Sequence, residues 1–284
     1  MQAGLRAPVS PSAAVTITTA DALASLASLE PVARAVFGDG QRPAGWFERK
    51  LEREGVDATR SMIALPAGAP ATPEHVLGYM LVGREGAAAH GAGMGVRPEA
   101  RGRAIGRTLV AAAGERARAD GATHLVVLAR DERLGFYGRL GFRPRRRALT
   151  LMSFGTGKIL DAGPPRRWLP SPDARDHYEV CAWRPATWTR TPAALRQTAA
   201  LPVGDAIAWA HFSREGRAAL VHRLLAPSPA AAVTAARALL PRITSTTPVL
   251  LHGCDAVSSV TASLEDAGFA PVQTWTELHL PLTG

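Results

Sequence analysis

The stretch from Ala89 to Leu128 most limits what this chain can fold into. Its opening run, AHGAGMGV, alternates Gly91, Gly93 and Gly95 with other residues. Glycine weakens a strand, so this alternation marks a bulge or a place where another group comes close to the main chain. Beyond Pro98 lies a Gly/Arg turn, and Ile105 to Asp120 then reads as one continuous helix that stops before Gly121. The apolar run HLVVL, His124 to Leu128, reads as a buried strand of the parallel type. Strand, loop, helix and strand in this order make a βαβ unit, which sets the class as α/β with a mixed sheet.

At 284 residues the chain exceeds what one hydrophobic core usually organises, so two domains are expected. Ahead of the glycine strand, Asp21 to Val36 and Trp46 to Glu54 read as helices, and Ser61 to Leu65 and Val76 to Val82 as strands. After the βαβ unit, Arg133 to Leu140 reads as a short helix stopped by Gly141, and Arg145 to Met152 as the strand that closes the first half. The Gly-, Pro- and Ser-rich segment that follows is the expected linker. The expected layout is a flexible arm at 1–14, a first domain at 15–154, a linker at 155–172 and a second domain at 173–284.

The second half echoes the first. LGFRP at Leu140 to Pro144 is matched by AGFAP at Ala267 to Pro271, each between a short helix and a strand. Strands at Ala206 to Phe212 and Ala218 to Leu225, a helix at Pro229 to Leu240 and a strand at Pro248 to His252 repeat the order of elements. A degenerate duplication follows from this.

The turn Arg101 to Gly106 opens a long helix, so unpaired main-chain NH groups and the positive end of the helix dipole point the same way. Gly102, Ala104 and Gly106 are small enough to let a phosphate reach those groups, and Arg101, Arg103 and Arg107 add charge around them. Such a turn is an anion cradle suited to a diphosphate. Together with the glycine strand ending at Val96 and the FYGRLGF run at Phe136 to Phe142, it resembles the acyl-CoA-binding core of the GNAT superfamily of N-acyltransferases. The family's loop is commonly Q/R-x-x-G-x-G/A; Arg101 and Gly106 match it, while Ala104 stands where glycine is usual. If that position needs positive φ, alanine there costs about 1 kcal/mol or more.

The resemblance implies a GNAT fold, with two GNAT-like domains in tandem, and acetyl-CoA as acyl donor without a metal. It places the donor against Met94, Gly95 and Val96 of the strand and against Arg101, Gly102, Arg103, Ala104, Ile105, Gly106 and Arg107 of the loop. Arg130, where the family often has asparagine, is left to meet either a phosphate or the substrate. The implied roles are the Val96 NH for the thioester oxygen and Tyr137 as proton donor to the departing thiolate. A primary amine is only about one part in two thousand neutral at pH 7, so attack costs about 4.6 kcal/mol more unless a base removes the proton. His90 is the candidate base, with Glu85, Glu99 and water chains as alternatives, while Tyr79 on the preceding strand is left either to contact the substrate or to pack.

In the second half the position equivalent to Tyr137 is Leu264, which cannot donate a proton, and the loop equivalent is PSPAAA at Pro227 to Ala232, without glycine. This copy is expected to be catalytically dead. GTGK at Gly155 to Lys158 lacks the full GxxxxGK[ST] spacing and is set aside. Composition narrows the rest. Only Cys181 and Cys254 occur, with no CxxC, which disfavours disulfide frameworks and structural zinc, and no apolar run approaches the roughly 20 residues of a membrane span. The formal charge of +9 comes almost wholly from arginine, and no aromatic-interleaved basic platform accompanies it, so nucleic acid is not the expected partner. The expected protein is a cytoplasmic N-acetyltransferase acting on a primary amine of a small molecule, or alternatively a non-catalytic acyl-CoA-binding regulator.

Overall fold

The computed structural model describes residues 14–38, 43–157, 178–182, 190–191 and 196–282. The expected arm, apart from Ala14, and the expected linker from residue 158 onward lie outside the described residues. In chain order the first elements are β1 (Val15–Thr19), α1 (Glu30–Phe37), α2 (Trp46–Arg53), β2 (Met62–Pro66), β3 (Gly78–Glu85) and β4 (Ala88–Val96). There follow α3 (Ile105–Ala119), β5 (His124–Ala129), α4 (Leu134–Gly138), β6 (Arg143–Phe154), β7 (Tyr178–Ala182) and β8 (Arg196–Val203). The last elements are β9 (Ala206–Glu215), β10 (Ala218–Ala226), α5 (Pro229–Leu239), β11 (Pro248–Asp255), α6 (Ser259–Asp266) and β12 (Ala270–Pro281).

Two compact units divide the chain. One comprises Met1–Gln41, Gly55–Val126 and Pro281–Gly284; the other comprises Arg42–Glu54 and Val127–Leu280. In the first unit β1, β2, β3 and β4 pair antiparallel in sequence order, and β5 joins β4 in parallel. Helix α3 buries Ile105, Leu109, Val110, Ala113 and Ala117 against this sheet. The expected helix from Asp21 is broken. Ser25 Oγ accepts from the Ala27 NH (3.1 Å), which favours a short turn over a continuous helix, and Pro31 in the first turn of α1 restarts the helix at Glu30.

In the second unit β8, β9 and β10 form an antiparallel meander, and β11 lies parallel to β10. Ala231, Ala232, Ala235, Ala236 and Leu239 of α5 are buried in the core of this unit, and their small side chains let the helix approach the sheet closely. Helix α2 belongs here too: Arg49 and Arg53 reach Glu215 of β9 at 3.3 and 2.5 Å. Strand β6 was expected to close the first half. It pairs instead with β11 from Pro248↔Phe154 to Asp255↔Ala148 and with β12 along its other edge, so the compact units cut the chain elsewhere than at the expected linker.

Candidate functional site

Strand β4 changes character halfway along. Leu81 faces Gly93 and Val82 faces Gly91, which leaves Ala92 as an extra, bulged residue. The parallel ladder to β5 runs from Ala88↔His124 to His90↔Val126 and, among the described residues, ends there. Arg97 N–H donates to the Leu77 carbonyl (2.8 Å), and main-chain groups alternate sides along an antiparallel ladder. Those of Met94 and Val96 therefore face away from β3, on the edge that the β5 ladder has left. Gly95 is required for a different reason: a Cβ there would stand 2.5 Å from Val36 Cγ1 of α1.

After Val96 the chain makes a turn of eight residues, 97–104, and enters α3. No side chain caps this helix and its first turn holds no acidic residue. Arg101 Nε donates to the Val96 carbonyl (3.2 Å), tying the loop to the end of β4. Gly102 has φ 79° with open space where a Cβ would go, and Ala104 has φ 57°, so this alanine does occupy the left-handed region. Guanidinium groups at the positive end of a helix dipole are unfavourable by themselves, by about 0.3–1 kcal/mol each. Arg103 and Arg107 thus favour an anion at the amides of Ile105, Gly106 and Arg107, and the residues present fit a diphosphate.

Arg97 was not singled out by sequence, because nothing marks one arginine in a chain rich in them. It is 7% exposed. Its Nε donates to Val76 O (2.6 Å) and its Nη2 to Pro73 O (3.1 Å), clamping the start of the loop beside Val96. His90 is placed otherwise than a base at Val96 would be. It is buried, 3% exposed, in the paired part of β4, and six residues of strand put it roughly 20 Å from Val96. Tyr79 is 1% exposed and packs in the core, and Glu99 is an exposed turn residue beside Arg97 (3.9 Å).

Tyr137 and Arg130 belong to the other compact unit. Tyr137 packs edge-on against Phe136 and Phe142, with ring centroids 5.0 and 5.2 Å away. Burial pushes its phenol up to about 12, partly countered by the charge of Arg133. Arg130 lies over the ring of Trp275 (5.4 Å), a partner that sequence reading did not suggest.

The second copy of the motif differs where the first is open. Only residues 227–228 separate β10 from α5, and Ser228 Oγ accepts from the Ala231 NH (3.2 Å). Pro229 stands in the first turn, and Leu264, equivalent to Tyr137, is wholly buried. The amides of Gly155, Thr156 and Gly157 donate to the carbonyls of Thr247, Leu240 and Ile243, so this part of GTGK offers no phosphate its NH groups. Among the described residues no helix is long and apolar enough to cross a membrane, and no group of His, Cys, Asp and Glu is arranged to hold a metal ion.

Residues 71–144 match the acetyltransferase (GNAT) domain family. No curated protein matches the chain. Among solved structures, a GCN5-related N-acetyltransferase from Sphaerobacter thermophilus is similar with a TM-score of 0.59 at 14% identity, over 95% of this chain and 96% of that one. A tandem GNAT protein from the clavulanic acid biosynthesis pathway gives 0.57 at 15%, over 95% and 99%, and a proposed acetyltransferase from Pyrococcus horikoshii 0.60 at 14%, over 94% and 89%. The fold is therefore that of the GNAT proteins, in tandem arrangement. The match to the acetyltransferase (GNAT) domain family covers residues 71–144, about a quarter of the chain, and the similarity to the solved structures extends the fold over nearly all of it.

Proposed function

We propose that the protein is an acetyl-CoA-dependent N-acetyltransferase that acetylates a primary amine of a small molecule by direct attack. The observation that carries this reading is the uncapped, arginine-flanked start of α3 beside an edge of β4 that has no strand partner among the described residues. The amides of Ile105, Gly106 and Arg107, with Arg101 and Arg103, would hold the diphosphate, and Gly102 and Ala104 leave it room. Acetyl-CoA supplies the activated acyl carbon. Main-chain groups of Met94 and Val96 orient the arm, and the Val96 NH stabilises the carbonyl oxygen as it gains charge. The amine nitrogen bonds to that carbon, the C–S bond breaks, and the proton shed by nitrogen passes to the sulfur through water. With His90 so far up the strand, we assign deprotonation to water.

Tyr137, held at about 12, keeps its proton at neutral pH. Surrendering it to the departing thiolate, a weaker base than the Tyr137 phenolate, would be uphill, so its role is to donate a hydrogen bond to the departing sulfur. As domains we assign 15–154 and 173–284 to the two copies, with β6 exchanged into the sheet of the second unit. We further assign a cytoplasmic setting and no nucleic-acid or membrane partner. Purified protein given acetyl-CoA and a panel of amines is expected to release thiol above the hydrolysis background with at least one amine class. A second reading, a non-catalytic acyl-CoA-binding regulator, is favoured by the strained Ala104 and by the distance of His90 from Val96. Tight CoA binding without thiol release across the panel would establish that alternative.

A further inference from the structure

We infer that strand β7 is a built-in occupant of the second copy's cofactor slot, a main-chain stand-in for the pantetheine arm of acyl-CoA; this rests on the reading of the first copy given above. The two copies open in the same way. Ala88–His90 pair in parallel with His124–Val126, and Ala219–Val221 with Val249–Leu251. In each, the strand leading into the long helix then bulges, at Ala92 in β4 and at His222 in β10, and the parallel ladder ends. Beyond the bulge, the edge of β4 that faced β5 has no strand partner among the described residues. In the second copy that gap is filled: Arg223 faces Ala182, Leu225 faces Glu179 and Ala226 faces Tyr178, while Cys254 of β11 faces Cys181.

The order of elements shows that β7 has left its expected place. The first strand of the first copy, β1, lies at a sheet edge against β2. Among the described residues, the first strand of the second copy is not beside β8, which is itself the edge; it lies between β10 and β11. Pantetheine carries amide groups that can pair with a strand edge, and a strand offers one edge a donor and an acceptor from every second residue, about every 6.6 Å. Specific contacts hold β7 there. Glu179 pairs with Arg223 (2.6 Å), Tyr178 Oη meets Ser258 Oγ (3.2 Å), and Val180 enters the core at 7% exposure.

The phosphate end of the slot is closed as well, since Ser228 takes the amide that an anion would need. A copy without a cradle cannot rely on a ligand to satisfy the separated edges of β10 and β11. Buried main-chain groups left without partners are costly, and a permanent strand removes that cost. The consequence is one acyl-CoA site per chain, in the first copy.

Hydrogen exchange of the full chain without ligand is expected to show the amides of residues 178–182 protected at least about tenfold over random coil, and equally so with CoA added. Random-coil exchange, or protection lost when CoA is added, would overturn the inference. Titration calorimetry with CoA is expected to give one site per chain, and none in Gly106→Glu. Two sites, or a site surviving in Gly106→Glu, would equally overturn it. Absence of any CoA binding to the wild-type chain would refute the proposed function instead, and the exchange measurement would then decide the role of β7 alone.

Discussion

Ala104 is the only non-glycine residue with positive φ among the described ones, and it sits where the loop turns into α3. Left-handed backbone costs alanine about 1–2 kcal/mol, more than the roughly 0.5–1 kcal/mol by which glycine's freedom in the unfolded chain weakens the fold. Ala104→Gly is therefore expected to stabilise the protein by about 0.5–1 kcal/mol, read as a higher urea midpoint. At Tyr137 the ring packs on Phe136 and Phe142, so Tyr137→Phe keeps the packing and removes only the hydroxyl. Loss of one donor to developing charge is expected to lower kcat about a hundredfold while the KM for acetyl-CoA stays within about twofold. Because the phenol stays protonated up to about 12, kcat should not decline from its ionisation between pH 7 and 10. A hydroxyl-dependent fall near pH 9, absent in Tyr137→Phe, would contradict the role assigned to it.

Helices α3 and α5 occupy the same place in the two copies and end their first turns oppositely. The Ser228 cap should contribute about 1 kcal/mol, so Ser228→Ala is expected to destabilise by that amount and leave CoA affinity unchanged. Much of this contrast was legible in sequence, because a Gly/Arg turn and a Ser-Pro helix start are local signals. The glycine-bearing β4, helix α3 and strand β5 were legible for the same reason, and the bulge at Ala92 fell among the alternating glycines. The positions of β6 and β7 were not. A strand's neighbours are set by pairing with residues far along the chain, and nothing local in YEVCA distinguishes an edge from the interior of a gap. Edge strand β8, RQTAALPV, was missed because its alanines and Pro202 weaken strand patterning. His90 misled because a suitable intrinsic pKa says nothing of where along a strand the ring is needed.

For the molecule as a whole, the arginine excess is a poor guide to partners, since Arg49, Arg53, Arg60, Arg146 and Arg223 are each committed to a carboxylate. A sharper global property comes from two buried histidines of the second unit. His222 shares a 2.8 Å hydrogen bond with Ser213, and burial, with Arg53 adding to it, pulls its pKa down to about 3. His211 is likewise drawn down to about 4 by burial and by Arg223. Both are neutral in the fold, whereas in the unfolded chain they take up protons below about pH 6.5. Stability is thus unaffected by them above pH 6.5 and falls as the pH drops from there toward 4, because the unfolded state binds the additional protons. The loss is about 1.4 kcal/mol per pH unit for each ring, or about 2 kcal/mol each by pH 5. Urea unfolding followed from pH 7 to pH 5 should show the midpoint dropping accordingly. In His222→Gln, which retains a hydrogen-bonding group toward Ser213, the dependence on pH should become shallower whatever the variant's stability at pH 7; an unchanged slope would mean that the ring is protonated in the folded protein.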